Sequence, residues 1–159
     1  MNFVFIAIAV LILFWVIATY NFFVSSKTRI KAAVSEIGNQ LKRQADLIPN
    51  LEASVKGYLT HEKGIFSDLA NARKAIAAAV KSGNVQKMAD AGSQLASIIP
   101  SIQVVVEDNP ELKASEVVGK LMDELRDTAD KVMYSRRLGI DLTADYNVKR
   151  GSFPSTILA

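Results

Sequence analysis

His61 and Glu62 stand side by side, as in the helical zinc-protease pattern, where a second histidine three positions after the glutamate completes a metal pair. Ile65 occupies that third position here, and His61 is the single histidine of the chain. No multi-histidine metal site can form within one copy. A di-iron bundle needs Glu-x-x-His pairs, and the sequence has none. His61 therefore reads as a surface or boundary residue. A denser group of acids, Asp123, Glu124, Asp127 and Asp130, raises paired-carboxylate acid–base chemistry. Steps of four and three put Asp123, Asp127 and Asp130 on one helix face, with Lys120 and Lys131 beside them. That is the pattern of a solvated, ion-paired face. With no phosphate loop, no nucleophile elbow and no cysteine, the residue types point away from an enzyme. No cofactor and no metal are expected.

The most specific run is Asp46-Leu47-Ile48-Pro49-Asn50-Leu51. Turn chemistry accounts for each type: proline suits a first helical position, Asp46 and Asn50 can bond free backbone groups, and the leucines close a bundle end. The run is expected to form the first, distal interhelix turn, whose functional counterpart is an exposed docking motif. Pro49 is equally able to kink one long helix, and both readings stay open. Two Tyr-Asn pairs, Tyr20-Asn21 and Tyr146-Asn147, form a second motif. Tyrosine suits a membrane interface and asparagine bonds neighbouring helices, so the pairs are expected to meet at the membrane level.

The elements that position these residues are helices. Ile30, Val34, Ile37, Leu41, Ala45 and Ile48 recur at steps of four and three. A second stripe, over about 51–81, is Leu51, Val55, Tyr58, Ile65 or Phe66, Leu69, Ala72, Ile76 and Val80, with Gly57 and Gly64 as weak points. Ser82-Gly83-Asn84 is a stop. A third helix starts near Val85 and carries Met88, Gly92, Leu95, Ile99, Ile102 and Val106, bent or divided at Pro100. Glu107–Pro110 reads as a loop. The fourth starts near Ser115, a cap, and carries Val118, Leu121, Leu125, Ala129, Val132, Leu142 and Tyr146 up to Gly151 and Pro154. Period-two alternation is absent, so the fold class is all-α, an antiparallel up-and-down bundle of about four helices with coiled-coil-like patterning.

From Phe3 to Ala18 no charged or strongly polar side chain occurs, and the apolar block runs on to Val24. About 22 helical residues span about 33 Å, enough for a bilayer core. No basic residue precedes the run and no small-residue cleavage site follows it, so residues 1–24 read as an uncleaved anchor. Residues 25–150 then form the bundle domain, and 151–159 a short apolar C-terminal tail near the membrane. Lys27, Arg29 and Lys31 follow the anchor, which places the bundle in the cytoplasm and the N-terminus outside. In an up-and-down bundle those residues join Lys81, Lys87, Lys149 and Arg150 as a basic collar beside anionic lipid. The net charge of +3, without a basic aromatic run, does not point to nucleic acid.

The run Gln40-Leu41-Lys42-Arg43-Gln44-Ala45-Asp46-Leu47-Ile48-Pro49-Asn50-Leu51, followed by Val55-Lys56-Gly57-Tyr58 and His61-Glu62, resembles the LemA family of bacterial membrane-anchored helical proteins. Tyr20-Asn21 with Val24, then Tyr146-Asn147, Phe153-Pro154 and Ala159, are similar to its other motifs. The chain departs from that pattern at Val34, often tryptophan in the family, at Leu138-Gly139, commonly another Tyr-Asn, and at Ala129, commonly glutamate. The resemblance implies one N-terminal span, a helical bundle and no established enzymatic activity. It also implies envelope roles, magnetosome formation among them in some bacteria. The expectation is a non-enzymatic, self-associating scaffold at the bacterial inner membrane. The alternative is an adaptor or sensor that binds a membrane protein partner, a protease or transporter, through the distal turn.

Overall fold

The computed structural model describes residues 2–58 and 63–158. In chain order the helices are α1 (Asn2–Val55), α2 (Lys63–Ser82), α3 (Val85–Asp108), the short α4 (Pro110–Ala114) and α5 (Glu116–Gly151). A single 3-10 turn, Ser155–Ile157, follows. No strand occurs among the described residues. The chain divides into two compact units, Val34–Arg136 and the pairing of Met1–Ala33 with Arg137–Ala159.

In the Val34–Arg136 unit, the contacts define an up-down-up-down bundle. Gly38 faces Met88 and Leu41 faces Gly92, so α1 and α3 run parallel. Arg43 of α1 pairs with Glu124 of α5 at 3.4 Å, and Arg126 of α5 bonds Gln103 of α3. Gly92 meets Val132 farther along, so α5 runs antiparallel to α3. The core is the expected stripe with few changes: Ile37, Leu41, Ile48, Leu69, Ala72, Ile76, Leu95, Ile102, Val118 and Leu125 are all buried. Full burial of each large aliphatic side chain contributes about 1.5–3 kcal/mol.

The punctuation is local and legible. Gly83 adopts φ +64°, a left-handed stop that suits glycine, and Asn84 Oδ1 accepts from the Lys87 amide at 3.0 Å to cap α3. Ser115 caps α5 through the Val118 amide. Pro110 opens α4 at a position where a missing amide costs nothing. The loop expected at 107–110 contracts to Asn109 alone, because α3 continues through Asp108.

The largest correction concerns Pro49. The first interhelix turn does not lie at Asp46–Leu51; that run is helical throughout, and α1 continues to Val55. The expected second helix from Leu51 is divided, and its first residues belong to α1. A proline inside a helix costs about 3 kcal/mol. Ile48, Leu51 and Val55, all fully buried, repay more than that by carrying the core stripe past it. The chain leaves the helix instead at Lys56–Tyr58, where Gly57 is the weakest helix former. Pro100 likewise leaves α3 unbroken. It is exposed, as is Ala96, whose carbonyl loses its partner, so water can satisfy that group.

In the other unit, α1 and α5 lie antiparallel. Gly139 packs against Ala33, with an added Cβ 3.7 Å from the alanine methyl, and Phe23 packs against Tyr146. Thr19, Phe23, Ser26 and Ala33 are buried on α1 and Leu142 on α5. Including half-buried Ile30, the α1 steps are four, three, four and three, the seam of a coiled coil. Gly139 does not break α5, because a small residue is what lets the two backbones approach.

Candidate functional site

Three places hold side chains that could act on something outside the chain. The first is the aromatic–basic cluster of the Met1–Ala33 and Arg137–Ala159 unit. Phe23 and Tyr146 meet edge-to-face with centroids 5.4 Å apart, and Phe22 meets Phe23 at 5.8 Å. The Lys27 ammonium lies 5.8 Å from the Tyr146 ring centroid, and Lys149 lies 5.8 Å from that of Phe22. Antiparallel packing sets each lysine over a ring of the other helix, where cation–π attraction favours it. Arg29, Lys31 and Arg150 are exposed in the same unit, which holds five residues of the expected collar. Lys81 and Lys87 belong to the other unit. Tyr146 takes Phe23 as its partner, while Tyr20, Asn21 and Asn147 are exposed. A stripe begun at Ile30 leaves Phe23 out; the same four-three step carried back through Ser26 reaches it.

A groove between α1 and α2 is the second place. It has a volume of about 530 Å3, with Ala45, Ile76 and Val80 as its apolar floor. Lys42, Arg73, Lys81 and Asp46 line its sides. Asp46, of the Asp46–Leu51 motif, thus lines this groove. Ile48 and Leu51 are core residues, Leu47 and Pro49 are half-buried, and Asn50 is exposed, its carbonyl accepting from Ser54 Oγ at 2.8 Å.

The third is a cavity of about 100 Å3 among α1, α3 and α5, walled by Ala89, Gly92, Ala96, Ala129 and Val132. Gln44 sits at its floor, 1% exposed, and its Oε1 has no hydrogen-bond partner in the chain. Ser93 and Arg136 stand at the same cavity, but Ser93 Oγ donates to the Ala89 carbonyl at 2.9 Å.

The catalytic alternatives find their places as well. Lys131 pairs with Asp127 at 2.7 Å and Arg126 with Asp123 at 3.7 Å, on side chains about half or more exposed. Exposed pairs of this kind are worth at most about 1 kcal/mol and serve solvation. Among the described residues no group of three or more His, Asp or Glu side chains could hold a metal ion. His61 and Glu62 lie outside the described residues.

Among the described residues one helix is long and apolar enough to cross a membrane: the N-terminal part of α1 passes that test by length and composition. Phe3, Val4, Phe5, Ile6, Leu11 and Phe14 all project away from the protein. No curated protein matches the chain. The model of the LemA family matches residues 33–159, which take in the bundle, the second half of the α1–α5 pair and the C-terminal segment. With four fifths of its length matched and an apolar helix leading into a bundle, the chain belongs to the LemA family.

Proposed function

We propose that this protein is a non-enzymatic scaffold anchored in the bacterial inner membrane, with its bundle on the cytoplasmic side, and that it works as an assembly of like chains. The observation that carries the reading is the fully exposed apolar surface of α1 from Phe3 to Phe14, continuous in one helix with the core-forming residues Ile37 to Val55. Apolar surface of that size is driven out of water at about 25 cal/mol per Å2. The basic side chains of Lys27, Arg29, Lys31, Lys149 and Arg150 flank it, and each is worth about 1 kcal/mol near anionic lipid. An assembly multiplies anchors and cations, which raises avidity without any new contact. The cavity of about 100 Å3, walled largely by alanine, glycine and valine, fits a structural role.

The test is the size of the full-length protein in mild detergent across a concentration series. The scaffold reading expects a discrete species larger than one chain; a sharp monomer at every concentration overturns it. The groove of Lys42, Arg73 and Lys81 favours a second reading, a docking site for an acidic segment of a membrane protein partner. Crosslinking from Asp46 separates the two. Adducts only between like chains support the scaffold, and adducts with another membrane protein support docking.

A further inference from the structure

Along α1 from Phe3 to Ala18 every residue is exposed except Trp15 and Val16, which are half-covered, and one turn on Thr19 is 3% exposed. Trp15, Val16 and Thr19 share one side of the helix, so something lies against that side. The α1–α5 register says what. Ala33 faces Gly139 and Phe23 faces Tyr146. Five residues beyond Tyr146, α5 ends at Gly151, about 7.5 Å farther along and level with Ala18. Residues 152–158 follow, and the same antiparallel register carries them toward the level of Trp15–Thr19. Within them Ser155 is 2% exposed, while Phe153 is 83% and Ile157 is 70% exposed. Its one buried residue is a serine, and its large apolar side chains, Phe153, Ile157 and Leu158, are turned outward together with Ser152 and Thr156. Water inverts that arrangement; hydrocarbon does not. Lys149 and Arg150 lie one turn before it, where their charges stay at the headgroups.

We propose that residues 152–158 form a second lipid-contacting element, with Phe153, Ile157 and Leu158 seated in the acyl-chain boundary of the leaflet that Lys149 and Arg150 face. The inference rests on the reading of α1 as a bilayer anchor. The tail adds protein to that leaflet alone, as a one-sided interfacial element does.

The chain has no cysteine, so a single introduced one takes a label cleanly. The full-length variants Ile157→Cys, Asp141→Cys and Leu11→Cys, each carrying an environment-sensitive nitrobenzoxadiazole, are reconstituted into vesicles of phosphatidylglycerol and phosphatidylethanolamine. Lipids brominated at shallow or deep acyl positions serve as quenchers. Asp141 is exposed and ten residues, about 15 Å, before Gly151. The expected result is at least twofold quenching at 157 by shallow bromines, quenching at 11 by deep bromines, and none at 141. Quenching at 11 with 157 no different from 141 overturns the tail assignment and leaves the anchor standing. Absence of quenching at 11 overturns both.

Discussion

Tyr58 donates a 2.7 Å hydrogen bond to the Glu111 carboxylate, joining the turn after α1 to the short α4. The bond links the end of α1 to α4 within the Val34–Arg136 unit, beside Leu112, which α4 buries in the core. The hydrogen bond to Glu111, and secondarily the carboxylate's negative charge, hold the Tyr58 pKa above its ordinary value of 10.0. The protonated phenol is thus favoured in the folded state, so the stability this pair contributes is fully present below pH 10. It is lost as pH rises through the raised value. An ultraviolet titration of phenolate should show one tyrosine ionising late. Glu111→Gln should move it back toward 10, and Tyr58→Phe should remove it; a titration unchanged by Glu111→Gln would contradict the pairing.

Glycines on the two sides of one bundle should respond in opposite directions. A Cβ on Gly92 meets Leu41 Cδ2 at 3.2 Å and Val132 at 3.5 Å, whereas one on Gly119 meets nothing within 4 Å. Gly92→Val overpacks the core and should cost about 1–3 kcal/mol. Gly119→Ala fills open space in a helix and should gain about 0.5–1 kcal/mol. Urea denaturation of the two variants reads both signs.

Leu41 and Leu125 are fully buried, and shortening either to alanine should cost about 2–5 kcal/mol, the range for aliphatic truncation in a packed core. Losses below about 1 kcal/mol in both would place the core elsewhere.

Gln44 is buried with an unpartnered oxygen, so its amide loses hydration without full repayment. Gln44→Met keeps the volume and removes the polar group. It should raise the Tm by several degrees, corresponding to about 1 kcal/mol. A lower Tm would show that the amide is satisfied.

Phe23 and Tyr146 should couple by about 1 kcal/mol in a double-mutant cycle with alanine, as edge-to-face pairs do. Hydrogen exchange along the last two turns of α5 is the readout, since loss of either ring frees that end of the helix first.

Helical periodicity, capping and hydropathy are properties of neighbouring residues, and they were legible in the sequence by itself. It determined the all-α class, the apolar anchor-length helix, the stops at Gly83 and Gly151, the Ser115 cap and most of the buried stripe. The spacing of Asp123, Asp127 and Asp130 marks a solvated face, and the ion pairs of Asp123 and Asp127 are exposed ones. Other features depend on what lies across from a residue, and only the tertiary structure decided them. Pro49 is carried through α1 because Ile48, Leu51 and Val55 have a core to enter on both sides of it, a balance that turn propensity does not contain. Phe23 meets Tyr146, and Gly139 meets Ala33, because α5 returns antiparallel along α1. Asp46 faces a groove with Lys42 and Arg73 because α2 lies beside α1 there. In each case the partner is distant along the chain, and helix packing chooses it.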